Sequence, residues 1–182
     1  MWWIIPVAIV IVLAIWLVST YNSLVSKRLK VKNQWSQVDV QLKMRADLVP
    51  NLVNTVSGYA KHEQETLDQV IAARNRYVVA NGTEAKIEAS NALSGVLNRL
   101  FALAEAYPDL KANTNFLNLQ EQLGQIENKI ANYRQFYNDC VMMYNETIMR
   151  VPSNIVASLF HFQPEAFFQI EEADRNVPPV QF

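Results

Sequence analysis

Two adjacent residues invite a catalytic reading: His62 and Glu63, within "AKHEQET". A zinc-peptidase helix needs a second histidine four positions after the first. Two imidazoles then share one face, with the glutamate between them as general base. Thr66 occupies that position. The other histidine, His161, lies in a different context, and Cys140 is the single cysteine. One thiol cannot build a thiol-based zinc site or an intrachain disulfide. His62 therefore reads as a surface or capping residue. The carboxylate pairs Glu63 with Glu65 and Glu171 with Glu172 read as solvated faces, since nothing nearby would bury and split their acidities. There is no glycine-rich phosphate loop and no G-x-S-x-G elbow. We expect no catalytic residue, no metal and no cofactor, and read the chain as non-enzymatic.

Arg45 carries more information. Val31, Trp35, Val38, Leu42, Arg45, Val49, Leu52, Val56 and Tyr59 step by alternating gaps of four and three, an a/d seam. Arg45 is the one cation among apolar residues. A buried guanidinium without a partner is costly by several kcal/mol, so it must be paired or at an edge. Asp47 is a poor partner, because helix positions two apart do not face each other. Glu127 or a tyrosine hydroxyl from another helix suits better, and a register-setting role suits better than a ligand site. The seam's phase also runs through Pro50. We therefore expect one helix from the N-terminal region to about Ala80, bent where Pro50 frees the carbonyl of Ala46. The alternative is a break capped by Asp47, with Pro50 in the first turn of a new helix.

The element that begins this helix is an anchor. Met1 to Val18 carries no charge and is almost wholly apolar. Trp2 to Thr20 would span roughly 28 Å as a helix, close to the bilayer's hydrocarbon thickness. Trp2 and Trp3 at one end and Tyr21 at the other suit the two interfaces, and Pro6 falls in the first turn. A cleaved signal peptide fits less well, since no basic segment precedes the apolar run and no small-x-small site follows Val18. Lys27, Arg28, Lys30 and Lys32 follow the span and are placed to meet anionic headgroups. By the positive-inside rule they put the N-terminus outside and the bulk of the chain in the cytoplasm of a bacterial inner membrane; a periplasmic bulk is the alternative.

The remaining elements are helices. The 182 residues include only four glycines and carry a formal net charge of −1. That balance disfavours a many-stranded sheet and gives no global field for nucleic acid. Asn81-Gly82 ends the first soluble stretch, with Thr83 able to cap the next helix. That helix presents Ile87, Leu93, Leu97, Leu100 and Ala104 and stops before Pro108. After the linker "YPDLKANT", Phe116, Leu119, Leu123, Ile126, Ile130, Tyr133, Tyr137, Cys140 and Tyr144 repeat gaps of three and four. "SNIVASLF" reads as a short helix capped by Ser153. The late tyrosines need hydroxyl partners, with Asn132, Asn138 and Asn145 nearby. Either they form a polar layer facing Arg45 and Asp47, or they reach water at the bundle's edge.

The fold class is thus all-α: an N-terminal transmembrane helix (1–20) continuing into an elongated antiparallel three- to four-helix bundle (21–160), then an irregular aromatic and acidic tail (161–182). "YNSLV" at 21–25, "RADLVPNLVNTVSGYAKHE" at 45–63, Ala73-Arg74, "EAYPDLKAN" at 105–113, "NF" at 115–116, "EN" at 127–128, "FYND" at 136–139 and "YN" at 144–145 resemble the bacterial LemA family in order. His161 departs from it, where the resemblance implies a glycine. The resemblance implies a single-span membrane protein with a helical bundle, a short N-terminus outside, no established catalytic activity and a link to membrane organisation. The expectation is a membrane-anchored scaffold that self-assembles and organises or shapes the membrane. Trp35, Phe160, Phe162, Phe167 and Phe168 would be covered by side-by-side homo-oligomers. In the alternative, an adaptor, the tail recruits a protein partner such as an envelope protease or stress component.

Overall fold

The structure, a computed structural model, describes residues 3–169. Trp2 and the tail beyond Gln169, with Glu171, Glu172 and Phe182, lie outside the described residues. Among the described residues there are six helices: α1 (Ile4–Ser57), α2 (Gln64–Val79), α3 (Thr83–Ala104), α4 (Pro108–Lys111), α5 (Thr114–Met149) and α6 (Ser153–Leu159). The protein is all-α, as its composition and periodicity predict.

The first turns of α1 are apolar on every side. Ile4, Val10 and Ile15 are each about two-thirds exposed, and their neighbours from Ile5 to Leu13 resemble them. A helix with no polar face is stable only where its surroundings are apolar too. Length and composition make α1 able to cross a membrane.

Farther along α1 the seam is buried at Val31, Val38, Leu42, Arg45, Val49, Leu52 and Val56. Pro50 lies inside the helix, on its exposed side. Its missing amide frees the carbonyl of Ala46. Arg74 of α2 donates Nε–H to that oxygen at 3.4 Å. The proline therefore creates an acceptor that a second helix uses. Asp47 stays helical and exposed, so no break occurs there.

The helix does not reach Ala80. It ends at Ser57, and Tyr59, the last seam position, is 41% exposed outside it. The amides of Tyr59 and Ala60 both turn back to the carbonyl of Val56. Gly58, a poor helix former, sits at the turn. Fully buried Ala60 follows, small enough to let the connection pack. Leu67, Val70, Ala73 and Tyr77 then give α2 its own buried face.

Gly82 adopts φ 88° and ψ 160°, a conformation only glycine holds readily, so the punctuation at Asn81-Gly82 is real. Thr83 begins α3 but makes no side-chain cap; Gly82 holds the cap position. Ile87, Leu93, Leu97, Leu100 and Ala104 are buried as expected. The linker after Ala104 contains α4, whose Leu110 is fully buried. On α5, Phe116, Leu123, Ile130, Tyr137 and Tyr144 are buried, with Leu119, Ile126, Tyr133 and Cys140 half-buried between them. Ser153 does not cap α6. Its hydroxyl lies 2.6 Å from the carbonyl oxygen of Thr147 and 2.8 Å from that of Arg150, bonding back to the preceding helix. His161 holds φ 55°, the left-handed region a glycine would enter freely.

By internal contacts the described residues form two compact units, one of 3–37 with 134–167 and one of 38–133 with 168–169. Within the first, Leu24, Val156 and Ala157 form a small core, flanked by Trp16, Ile148 and Phe162.

The proline–arginine link is testable by a double-mutant cycle read from chemical unfolding in detergent. Arg74→Ala should cost about 1 kcal/mol in the natural background, the net worth of one such bond. It should cost clearly less after Pro50→Ala, which restores the competing amide. Strictly additive costs would sever the link.

Candidate functional site

The chemistry that the helices gather is polar and buried. The seam of α1 delivers Arg45, 1% exposed. Ser90 and Ser94, one turn apart, come from α3, and α5 supplies Glu127. Arg45 Nη1 donates to Ser94 Oγ at 2.7 Å and to Glu127 Oε1 at 2.8 Å. Nη2 donates to the carbonyl of Ser90 at 3.0 Å and to its hydroxyl at 2.8 Å. Ser94 passes its own hydroxyl hydrogen to the Ser90 carbonyl at 3.2 Å. Of the two kinds of partner expected from sequence, Glu127 or a tyrosine hydroxyl, the structure shows Glu127; the serines were missed. Two hydroxyls at one-turn spacing on the apolar face of α3 were the available signal. Both serine hydroxyls accept from the guanidinium, so the cluster holds the charge in place.

A second tie joins α1, α2 and α3. Lys86 Nζ sits 2.8 and 2.7 Å from the two carboxylate oxygens of Asp39, and the Tyr77 hydroxyl donates to Asp39 Oδ1 at 2.9 Å. Burial, then the bond to Asp39, raises the pKa of Tyr77 well above the ordinary phenol range. The hydroxyl stays a donor at any physiological pH.

The tyrosines of α5 have a different task from the one expected. Tyr137 donates to the carbonyl of Ala166 at 2.7 Å and Tyr144 to that of Gln163 at 2.9 Å. Asn145 donates to the carbonyl of Glu165 at 2.9 Å and accepts its amide at 3.0 Å. The polar layer thus holds the backbone of 163–166, in place of Arg45 and Asp47. Arg28 adds an ion pair to Glu165 at 3.3 Å. Burial, with Glu165 nearby, pushes the Tyr137 phenol up to about 12.

The other residues singled out from sequence fall as follows. Lys27 donates to Thr147 Oγ1 at 2.6 Å and Arg28 is held by Glu165, whereas Lys30 and Lys32 are exposed. Trp35 is half-buried against Tyr137, with ring centroids 5.5 Å apart. Phe162 packs on the small core, and Phe168 is 3% exposed. Phe168 is therefore core, and its ring is closed to any partner. Phe160 and Phe167 remain open at 44% and 40% exposure. His62 is exposed, and Glu63 accepts the Tyr107 hydroxyl at 3.2 Å.

Among the described residues, no three histidine, cysteine or carboxylate side chains gather as metal ligands would. A groove in the second unit is lined by Asn51, Asn54, Thr55, Asn115, Asn118, Leu119 and Gln122. Its amides can donate and accept hydrogen bonds, but no lining group can act as acid or base at neutral pH.

These features define a class: an all-α protein with an N-terminal helix able to span a membrane and polar ties inside its helical core. The sequence model of the LemA family matches residues 34–182, and the chain belongs to that family. It is 24% identical over 155 residues to Protein LemA of Metamycoplasma hominis, covering 85% of this chain and 71% of that one. It is 24% identical over 183 aligned positions to the magnetosome protein MamQ 2 of Paramagnetospirillum magneticum, covering 86% of this chain and 67% of that one. The MamQ of Magnetospirillum gryphiswaldense is 21% identical over the same coverage.

Two outcomes follow from the geometry. Glu127→Ala leaves the buried guanidinium without its counter-charge and should destabilise by about 2 kcal/mol, less than a fully buried pair because Glu127 is half-exposed. Arg45→Met, which removes the charge itself, should cost less; the reverse order in a denaturant series would refute this account. Tyr137 keeps its proton up to about 12 when folded, against about 10 unfolded. Its contribution is intact below pH 10 and is lost as pH rises from 10 toward 12. Tyr137→Phe should flatten part of that decline in unfolding measured across pH 8 to about 12.

Proposed function

We propose that this protein is a non-enzymatic scaffold, anchored through α1, that self-assembles and organises the membrane it enters. The observation that carries the reading is apolar surface outside the span. Val40 and Met44, one turn apart on α1, are each 49% exposed, and Phe136, Met142 and Met143 of α5 are about half exposed. Copies of the chain packing side by side would cover such surface, with Phe160 and Phe167 as further contacts. Lys30 and Lys32 are free to meet anionic headgroups, with Lys27 and Arg28 beside them. The four basic residues after the span favour an N-terminus outside and the bulk in the cytoplasm. Relatives named as magnetosome proteins support the reading, since that name assigns them to a structure and not to a reaction.

An adaptor that recruits a protein through its tail draws less support. Residues 163–166 are occupied by Tyr137, Tyr144 and Asn145, and Phe168 is buried. The rest of the tail, 170–182, lies outside the described residues.

Full-length protein in mild detergent should have a mass several times the 20.8 kDa of one chain. Val40→Glu with Met44→Glu should lower it while circular dichroism stays helical. A strict monomer at micromolar concentration in detergent and in lipid would remove the reading's main support.

A further inference from the structure

The first unit exposes an apolar stripe that neither its core nor the α1 span accounts for. Val151, Ile155 and Leu159 recur at four-residue spacing and are 73%, 61% and 61% exposed. Met149 precedes them at 70% and Phe160 follows at 44%. On the opposite side of α6, Val156 and Ala157 are buried in the small core with Leu24. From Val151 to Pro164 the chain carries no Asp, Glu, Lys or Arg, the longest such run after the span. A short helix this apolar on its outer side is unusual in water.

The height of α6 along α1 identifies what covers the stripe. The core it joins is packed by Trp16, and Trp16 belongs to the uncharged apolar run of α1. Tyr21 sets its ring at a tilt against Phe160 at 4.7 Å and edge-on to Phe162 at 5.7 Å between centroids. Trp16 to Leu24 is about 12 Å of helix, and the first charge, Lys27, comes only one turn later. α6 therefore sits beside the last turns of the span, where acyl chains give way to headgroups, and below the first cation. Of its exposed apolar residues, Phe160 meets Tyr21 at the end of the apolar run.

We propose that α6 and its flanks lie in one leaflet of the same bilayer, as an interfacial wedge whose Val151, Ile155, Leu159 and Phe160 contact acyl chains. The wedge rests on α1 crossing the bilayer. It gives the membrane-organising reading a physical means, because a short apolar helix set into one leaflet expands that leaflet alone and makes binding sensitive to curvature. Packing of Val156 and Ala157 on Leu24 sets the depth, and Arg28 with Glu165 and Arg150 with Glu146 stand as charge pairs near it.

The test uses full-length protein carrying Cys140→Ala, reconstituted in vesicles of phosphatidylethanolamine and phosphatidylglycerol. Single cysteines are introduced by Ile155→Cys, Leu159→Cys or Val151→Cys and labelled with an environment-sensitive fluorophore. All three sites are exposed, so the labels need not disturb the fold. Val12→Cys reports on the span and Asn118→Cys on water. Acyl chains brominated near the headgroup or near the bilayer centre supply the quencher. The wedge predicts that labels at 155 and 159 are quenched most by the shallow bromines, the label at 12 most by the deep ones, and the label at 118 by neither. Quenching at 12 without quenching at 151, 155 or 159 overturns the wedge and leaves the span standing. Labels at 155 and 159 shielded from aqueous iodide yet not quenched by lipid would mean that protein, such as a second copy, covers the stripe, which also overturns it. No quenching at 12 would remove the span and the wedge with it.

Discussion

Burying a guanidinium leaves a helical core little freedom. Arg45 cannot be solvated where it lies, so its two terminal nitrogens are met by fixed acceptors from α3 and α5, while its Nε–H has no partner among the described residues. Sliding either helix by one residue would rotate Ser90, Ser94 or Glu127 away and leave a charge in an apolar seam. That penalty is several kcal/mol, comparable to the net stability of a small domain, so one register is selected over its neighbours. Leucines cannot do this, since an apolar contact is nearly indifferent to which apolar partner it meets. Asp39 with Lys86 and Tyr77 applies the same constraint to α2 and the start of α3.

The same logic of unsatisfied groups explains two other features. Pro50 does not serve to break α1. It leaves one carbonyl of a continuous helix unpaired, and Arg74 of α2 takes it. The change from leucine and isoleucine to tyrosine along α5 likewise has a purpose in the first unit. A leucine seam needs another apolar helix opposite it. Tyrosine hydroxyls can instead satisfy the backbone of a segment with no hydrogen-bonded structure of its own, and residues 163–166 are such a segment.

In the function proposed for this family member, surfaces carry the work. Apolar side chains are exposed in three settings: around the first turns of α1, on the outer side of α6, and as scattered residues such as Val40 and Met44. The first is long and apolar enough to cross a bilayer. The second lies on a helix whose inner side packs with Leu24 and Trp16 of α1. The third is the kind of surface that other copies of a chain cover.

Much of this was legible in the sequence, because a hydrophobic period maps directly onto the buried face of a helix. The apolar run before Thr20, the seam through Pro50, the face of α3 and the nine-position repeat of α5 are all local patterns. The stop at Gly82 follows from its missing side chain. Glu127 was one of two kinds of partner for Arg45 that the need for an acceptor on a different helix allowed, beside a tyrosine hydroxyl. The false continuation of α1 beyond Ser57 shows the limit of the method: a period can persist by chance across a turn, and Gly58 and Ala60 carried the contrary signal. The helical class, the membrane-compatible span and the demand that Arg45 be paired were thus determined by the sequence alone. Which serines meet Arg45, which arginine takes the carbonyl freed by Pro50, that the tyrosines hold 163–166 and that α6 packs beside Trp16 were decided only by the tertiary structure. Each depends on hydrogen bonds or contacts between residues far apart in the chain, and spacing along one helix carries no information about which distant groups will meet it.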